Sequence, residues 1–238
     1  MSDVEALAGF TGKWRARWPE WRVAEVFVPM EQRERAVAWF ALRQELADAA
    51  WGGSDPRPGE AKLAWWSEEL SGWAQGRRRH PLGLPLQRLP VPWTVLAASL
   101  PALLASRDRP ADAEEALGAV EPYARAVGRI AASVFASRTP APAPGIVAGV
   151  LAERLLQGGE AAVPLAFLAR HADGDDALRA WAAELLQRWP LPYDGTPHGR
   201  VHAALVRLRL ECVAMGGAFD RPAPAWRALF AAWRAARG

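Results

Sequence analysis

Leu63, Trp66, Leu70 and Trp73 recur at i, i+3, i+7 and i+10, which sets four large apolar side chains along one stripe of a helix. Lys62, Trp65 and Glu69 fall beside that stripe, and Glu68 falls on its wetter side. Gly76 is placed to end the helix in the left-handed conformation. The same spacing of three to four recurs along nearly the whole chain. Val, Ile and Thr nowhere cluster with the two-residue alternation of a strand. The pattern predicts helices over 31–51, 59–76, 93–106, 111–137, 145–157, 160–171, 174–188, 198–214 and 223–236. Turn signals separate them at 52–56, 79–81, 107–110, the Pro-Ala run 140–144, 158–159, Gly174 and 190–197. Asp173, Asp175 and Asp176 read as the N-cap region of the helix that follows. The expected fold class is all-α.

Composition narrows the class further. Half of the 238 residues are hydrophobic, which excludes a disordered chain and gives ample length for a core. The net charge of +3 is too small to mark a nucleic-acid binder, so no nucleic-acid partner is expected. Cys212 is the only cysteine, so neither an intrachain disulfide nor a cysteine metal site can form. A reducing cytoplasm suits that. The N-terminus lacks the apolar core of a signal peptide. The longest apolar stretch, Val91 to Ala105, is interrupted by Pro92 and Pro101 and falls short of the ~18 residues a spanning helix needs. The expectation is a soluble, cytoplasmic protein, with peripheral membrane contact left open. Residues 139–144, TPAPAP, mark the best internal break, but six residues make a loop and not a linker. One domain over 1–238 is expected, with 1–28 as an N-terminal flap.

Familiar catalytic arrangements are missing. The histidines, His80, His171, His198 and His202, are scattered. His198 and His202 stand at i, i+4 without the glutamate of a zinc protease helix, and read as a surface helix. Trp14, Arg15, Arg17, Trp18, Trp21 and Arg22 interleave bases with aromatics. They read as a flap that packs its tryptophans on the bundle.

Three segments carry a resemblance: ALRQELADAAW over 41–51, EAKLAWWSEELSGWAQGRRRHPLG over 60–83, and YARAVGRIAASVFAS over 123–137. Together, across about 31–137, they resemble the squalene/phytoene synthase family, the helical head-to-head prenyltransferases. The resemblance implies a single helical bundle of the isoprenoid-synthase type. It also implies a mechanism in which aspartates on two facing helices hold magnesium ions against prenyl diphosphates. Hard Mg²⁺ takes oxygen ligands and binds phosphates through one or two carboxylates at a time.

This chain departs from that pattern. Arg43 matches the family arginine, but the aspartate positions after it fall on Leu46, Ala47 and Ala50. Glu45 and Asp48, at i, i+3, form a displaced pair. Trp65, Trp66, Glu68, Glu69, His80 and Pro81 match the next motif, with Lys62 where arginine is usual. Tyr123 and Gly128 match the Tyr/Gly helix, where a small residue lets helices approach closely. The second acidic motif should follow, yet 145–171 contains no aspartate; its only acids are Glu153 and Glu160.

The resemblance therefore implies a divergent member without metal-dependent condensation, and so no metal and no cofactor. Such a chain would bind an isoprenoid or other lipid, or serve as an accessory factor with a protein partner. Arg43, Lys62, Trp65, His80 and Tyr123 are its candidate ligand-binding residues. One alternative is an active prenyltransferase with a shifted acid set: Glu45 and Asp48 on one helix, Glu69 or Glu153 on another, and Mg²⁺ as cofactor. A further alternative is a helical module that binds protein or nucleic acid through its basic N-terminal segment.

Overall fold

The computed structural model describes residues 2–138, 140–191, 195–218 and 221–237. Thr139, the first residue of the TPAPAP run, and residues 192–194 of the 190–197 turn signal lie outside them. The described residues form twelve α-helices and no strand. In chain order these are α1 (Asp3–Arg17), α2 (Trp21–Ala24), α3 (Arg33–Trp51), α4 (Arg57–Ala74), α5 (Gly83–Leu86), α6 (Trp93–Ala105), α7 (Ala113–Val134), α8 (Ala143–Gly158), α9 (Leu165–Arg170), α10 (Gly174–Arg188), α11 (Pro197–Ala214) and α12 (Ala225–Arg237). The all-α class holds.

The stripe on α4 faces inward: Leu63, Trp66, Leu70 and Trp73 are all buried. The helix closes as its glycine requires. Gly76 has φ +78°, the Arg77 N–H reaches the Gly72 carbonyl at 2.9 Å, and the Gly76 N–H reaches Trp73 at 3.1 Å. These two bonds make a Schellman cap. Asp173 caps α10 by accepting the Asp176 N–H at 2.7 Å.

Two expectations fail locally. The helix read over 160–171 is split into a short 3₁₀ turn, Gly159–Ala162, and α9, with Val163 extended between them. Pro164 disfavours helical backbone at the residue before it and has no N–H to donate. The flap also contains a fifteen-residue helix, α1, that apolar periodicity missed. Its start was legible in another signal: Ser2 and Glu5 form a reciprocal capping box.

One continuous apolar core runs from Trp14 to Ala232. Helix α3 lies at its centre and packs on α1, α4, α6 and α8. Helix α11 packs on α8, α10 and α12. The flap tryptophans Trp14, Trp18 and Trp21 are buried in this core. A buried ion pair pins the flap in place. Arg209 of α11 meets Glu20 through Nε at 2.7 Å and Nη2 at 2.6 Å, and it also donates to the Arg17 carbonyl at 2.8 Å.

Candidate functional site

Helices α3, α7, α8 and α11 line a partly open cavity of about 100 Å³. Trp39, Phe40, Val127, Ile146 and Trp189 contribute to its apolar walls, and Arg43, Glu153, His198 and His202 to its polar side. Gly128 on α7 is what brings α8 close. A Cβ there would meet Ile146 Cδ1 at 2.9 Å and the Ala141 carbonyl at 3.1 Å.

Arg43 and Glu153 face each other across α3 and α8, with Nη2 at 3.2 Å from both carboxylate oxygens. Burial pushes the Glu153 carboxyl up, and the Arg43 and Arg17 guanidinium groups oppose that shift. Tyr123 is fully buried beside them. Burial drives its phenol up to about 12, so it stays protonated.

His198 and His202 do not form a surface pair. Both are buried, because the flap residues Trp14 and Trp18 and Phe40 of α3 cover His202, and Phe135 at the end of α7 covers His198. His202 stacks on Phe40, with ring centroids 4.4 Å apart. Burial lowers His198 to about 3 and His202 well below the ordinary imidazole value. Both are neutral at pH 7, so the 3.7 Å approach of His202 Nδ1 to Glu153 is not an ion pair. His198 Nε2 lies 2.8 Å from the Thr196 hydroxyl. Arg43 Nε, His198 Nδ1 and His202 Nε2 meet no hydrogen-bond partner among the described residues.

One turn further along the same helix pair, Asp48 is also held by the protein's own donors. Its Oδ1 accepts from Arg17 of α1 at 3.1 Å, from Gln44 of α3 at 2.8 Å and from Gln157 of α8 at 3.1 Å. The two facing helices thus present two i, i+4 polar pairs, Gln44 with Asp48 and Glu153 with Gln157. Each pair has one carboxylate and one amide. Sequence reasoning missed Gln44, Gln157 and Arg17, although the i, i+4 spacing of each Gln with its acid was there to be read.

The remaining candidates gather elsewhere. Glu45 and Asp48 both line a shallow cleft under α1, together with Lys13 and Arg17. Glu45, however, is bound by Lys62 at 2.8 Å. Trp65 and His80 lie on that side too, with His80 packed between Phe10 (4.4 Å) and Trp66 (4.5 Å). His80 Nδ1 accepts the Leu82 N–H at 3.1 Å. Burial lowers His80 to about 4, against the pull of Glu45 and Glu69. Glu69 is buried and saturated. It accepts from Trp73 Nε1 at 2.7 Å, from the Arg79 N–H at 2.8 Å, from the His80 N–H at 2.7 Å and from Arg79 Nε at 3.0 Å. Burial alone would raise its pKa, but these donors together hold it below the ordinary carboxylate value. The structure therefore brings Arg43 to the cavity, buries Tyr123 behind the Arg43–Glu153 pair, and leaves Lys62, Trp65 and His80 at the junction of α1, α3 and α4.

The residues present do not fit the magnesium ions that the resemblance implies. Mg²⁺ requires near-octahedral oxygen donors and is usually fixed by carboxylates and phosphate. Here Asp48 and Glu153 are engaged by N–H donors, and the other inward positions are amides. Among the described residues, no group of three His, Cys, Asp or Glu side chains is placed to hold a metal. Neither any protein-family model nor any curated protein matches the chain.

Proposed function

We propose that this chain is a non-catalytic accessory protein of isoprenoid or other lipid metabolism, a squalene/phytoene synthase-like bundle kept as a scaffold. The observation that carries the reading is that the protein's own N–H donors hold Asp48 Oδ1 and both oxygens of Glu153. A diphosphate site needs carboxylates free to share a metal with the substrate. In this chain Arg17, Gln44 and Gln157 take up one acid and Arg43 takes up the other.

The size of the interior supports the same reading. The cavity of about 100 Å³ lies below the roughly 300–1,000 Å³ of pockets that enclose drug-sized ligands. As it stands it has room for water or a small polar guest at the Arg43 and His202 edge. The working surface of such a protein is its exterior.

Titration calorimetry with a non-hydrolysable farnesyl diphosphate analogue, with and without Mg²⁺, tests the reading. Heats unchanged by Mg²⁺ are expected. Tenfold tighter binding in Mg²⁺, lost in Asp48→Asn, would reverse it in favour of a metal-dependent site.

A further inference from the structure

Helix α12 turns its small residues inward and its large ones outward. Ala228, Ala232 and Ala235, at i, i+4 and i+7, are buried on the side that packs against α2 and α11. Trp226, Phe230, Trp233 and Arg237 share the opposite stripe, with Leu229 beside them. Trp226 is 72% exposed and Phe230 55%. A helix that only closed the bundle would bury its aromatic stripe.

The helix is fixed in this orientation from both ends. Ahead of it, the Ala223 N–H donates to Glu20 at 2.9 Å. At its end, Arg200 donates to the carbonyls of Ala235 at 2.9 Å and Ala236 at 3.1 Å.

The charge on the segment that carries the stripe has one sign. From Arg221 to Gly238 the chain carries four arginines and no acid. Arg234 and Arg237 border a groove beside the aromatics, and the Arg237 guanidinium lies 4.2 Å over the Trp233 ring. Glu211, an acid lining that groove, is bound by Arg207 at 3.2 Å.

We infer that α12 seats the protein on an anionic bilayer surface. Trp226, Leu229, Phe230 and Trp233 enter the boundary between headgroups and acyl chains, and Arg234 and Arg237 meet lipid phosphates. Tryptophan favours that depth, and a cationic border selects a uniformly negative surface. Thirteen residues make a helix about 20 Å long, which lies along the interface and does not cross it. The inference does not depend on the reading of the interior cavity.

Flotation of the full chain with vesicles tests it, comparing pure phosphatidylcholine with phosphatidylcholine containing about 30% phosphatidylglycerol. Binding only to the anionic vesicles is expected, weakening as salt is raised. The exposed-face variant Trp226→Ser/Phe230→Ser should lose it while keeping its circular dichroism. Arg234→Gln/Arg237→Gln should weaken it by on the order of tenfold. Equal binding to both vesicle types, no binding to either, or binding that survives Trp226→Ser/Phe230→Ser would overturn the inference. So would a solution dimer, seen by light scattering, that the same serine variant dissolves; the face would then be an interface between copies of this chain.

Discussion

Arg43 Nη2 stands 3.2 Å from both oxygens of Glu153, a residue 110 positions away on the helix that faces it. Both side chains are largely withdrawn from water, and Tyr123 and His202 close them in. Removing one partner leaves the other charge buried without compensation. Arg43→Ala is expected to cost about 3–5 kcal/mol. Arg43→Met/Glu153→Leu, which removes both charges, should cost much less. Urea denaturation of the single and double variants checks this, and a double variant that costs the sum of the two singles would mean that the two groups do not interact.

The buried histidines set an acid limit on stability. In the folded chain His80 lies at about 4 and His198 at about 3, both lowered by burial, and His202 lies well below the ordinary 6.5. As pH falls from 6.5, the unfolded chain takes up protons first, so folding weakens. The stabilisation is complete above 6.5 and is lost progressively as pH falls, by up to ~1.4 kcal/mol per pH unit for each histidine, down to about 4 for His80 and about 3 for His198. Urea midpoints measured at intervals from pH 7.5 to about 4.5 should fall steadily. His80→Gln should flatten the slope, and a flat profile in the parent protein would contradict the neutral burial of these rings.

Glu69 adds a loss of the same sign at lower pH. Its donors hold its pKa below the ordinary carboxylate value, so its contribution is present above the unfolded value of 4.5 and is lost as pH falls through the folded one. It ties the 77–81 turn to α4. Glu69→Ala strands the buried Trp73 Nε1 and two backbone N–H groups, and should cost at least about 2 kcal/mol. Amide exchange at Arg79 and His80 should speed up in that variant; unchanged exchange would show that the turn is held without the carboxylate.

Gly128 and Trp66 test the packing. Gly128→Ala puts a methyl group into contact with Ile146 and the Ala141 carbonyl, at 2.9 and 3.1 Å. A cost of about 1–3 kcal/mol is expected. Trp66→Ala, at a fully buried position, should cost roughly 3–5 kcal/mol. Thermal unfolding checks both, and a neutral Trp66→Ala would mean that the α4 stripe is not core.

Helix positions and the α4 core were legible because periodicity and capping are local. Leu63, Trp66, Leu70, Trp73, Gly76 and Asp173 all behave as their spacing implies. The 160–171 break shows a local rule overlooked, since Pro164 alone accounts for it. The site was legible only in part. The loss of aspartates after Arg43 could be counted in the chain. That Arg17 and Gln157 join Gln44 on one oxygen of Asp48 depends on how α1, α3 and α8 pack, which no spacing within one helix encodes. The burial of His198 and His202 is of the same kind: Trp14, Trp18, Phe40 and Phe135, all distant in sequence, cover the two rings.

The central claim is that Asp48 and Glu153 are held by the protein's own donors and are not available to a metal-bound diphosphate. Pyrophosphate release from farnesyl diphosphate in the presence of Mg²⁺ measures this most directly. No release above the protein-free rate is expected. Mg²⁺-dependent release abolished by Asp48→Asn or Glu153→Gln would contradict the account and establish a working prenyltransferase.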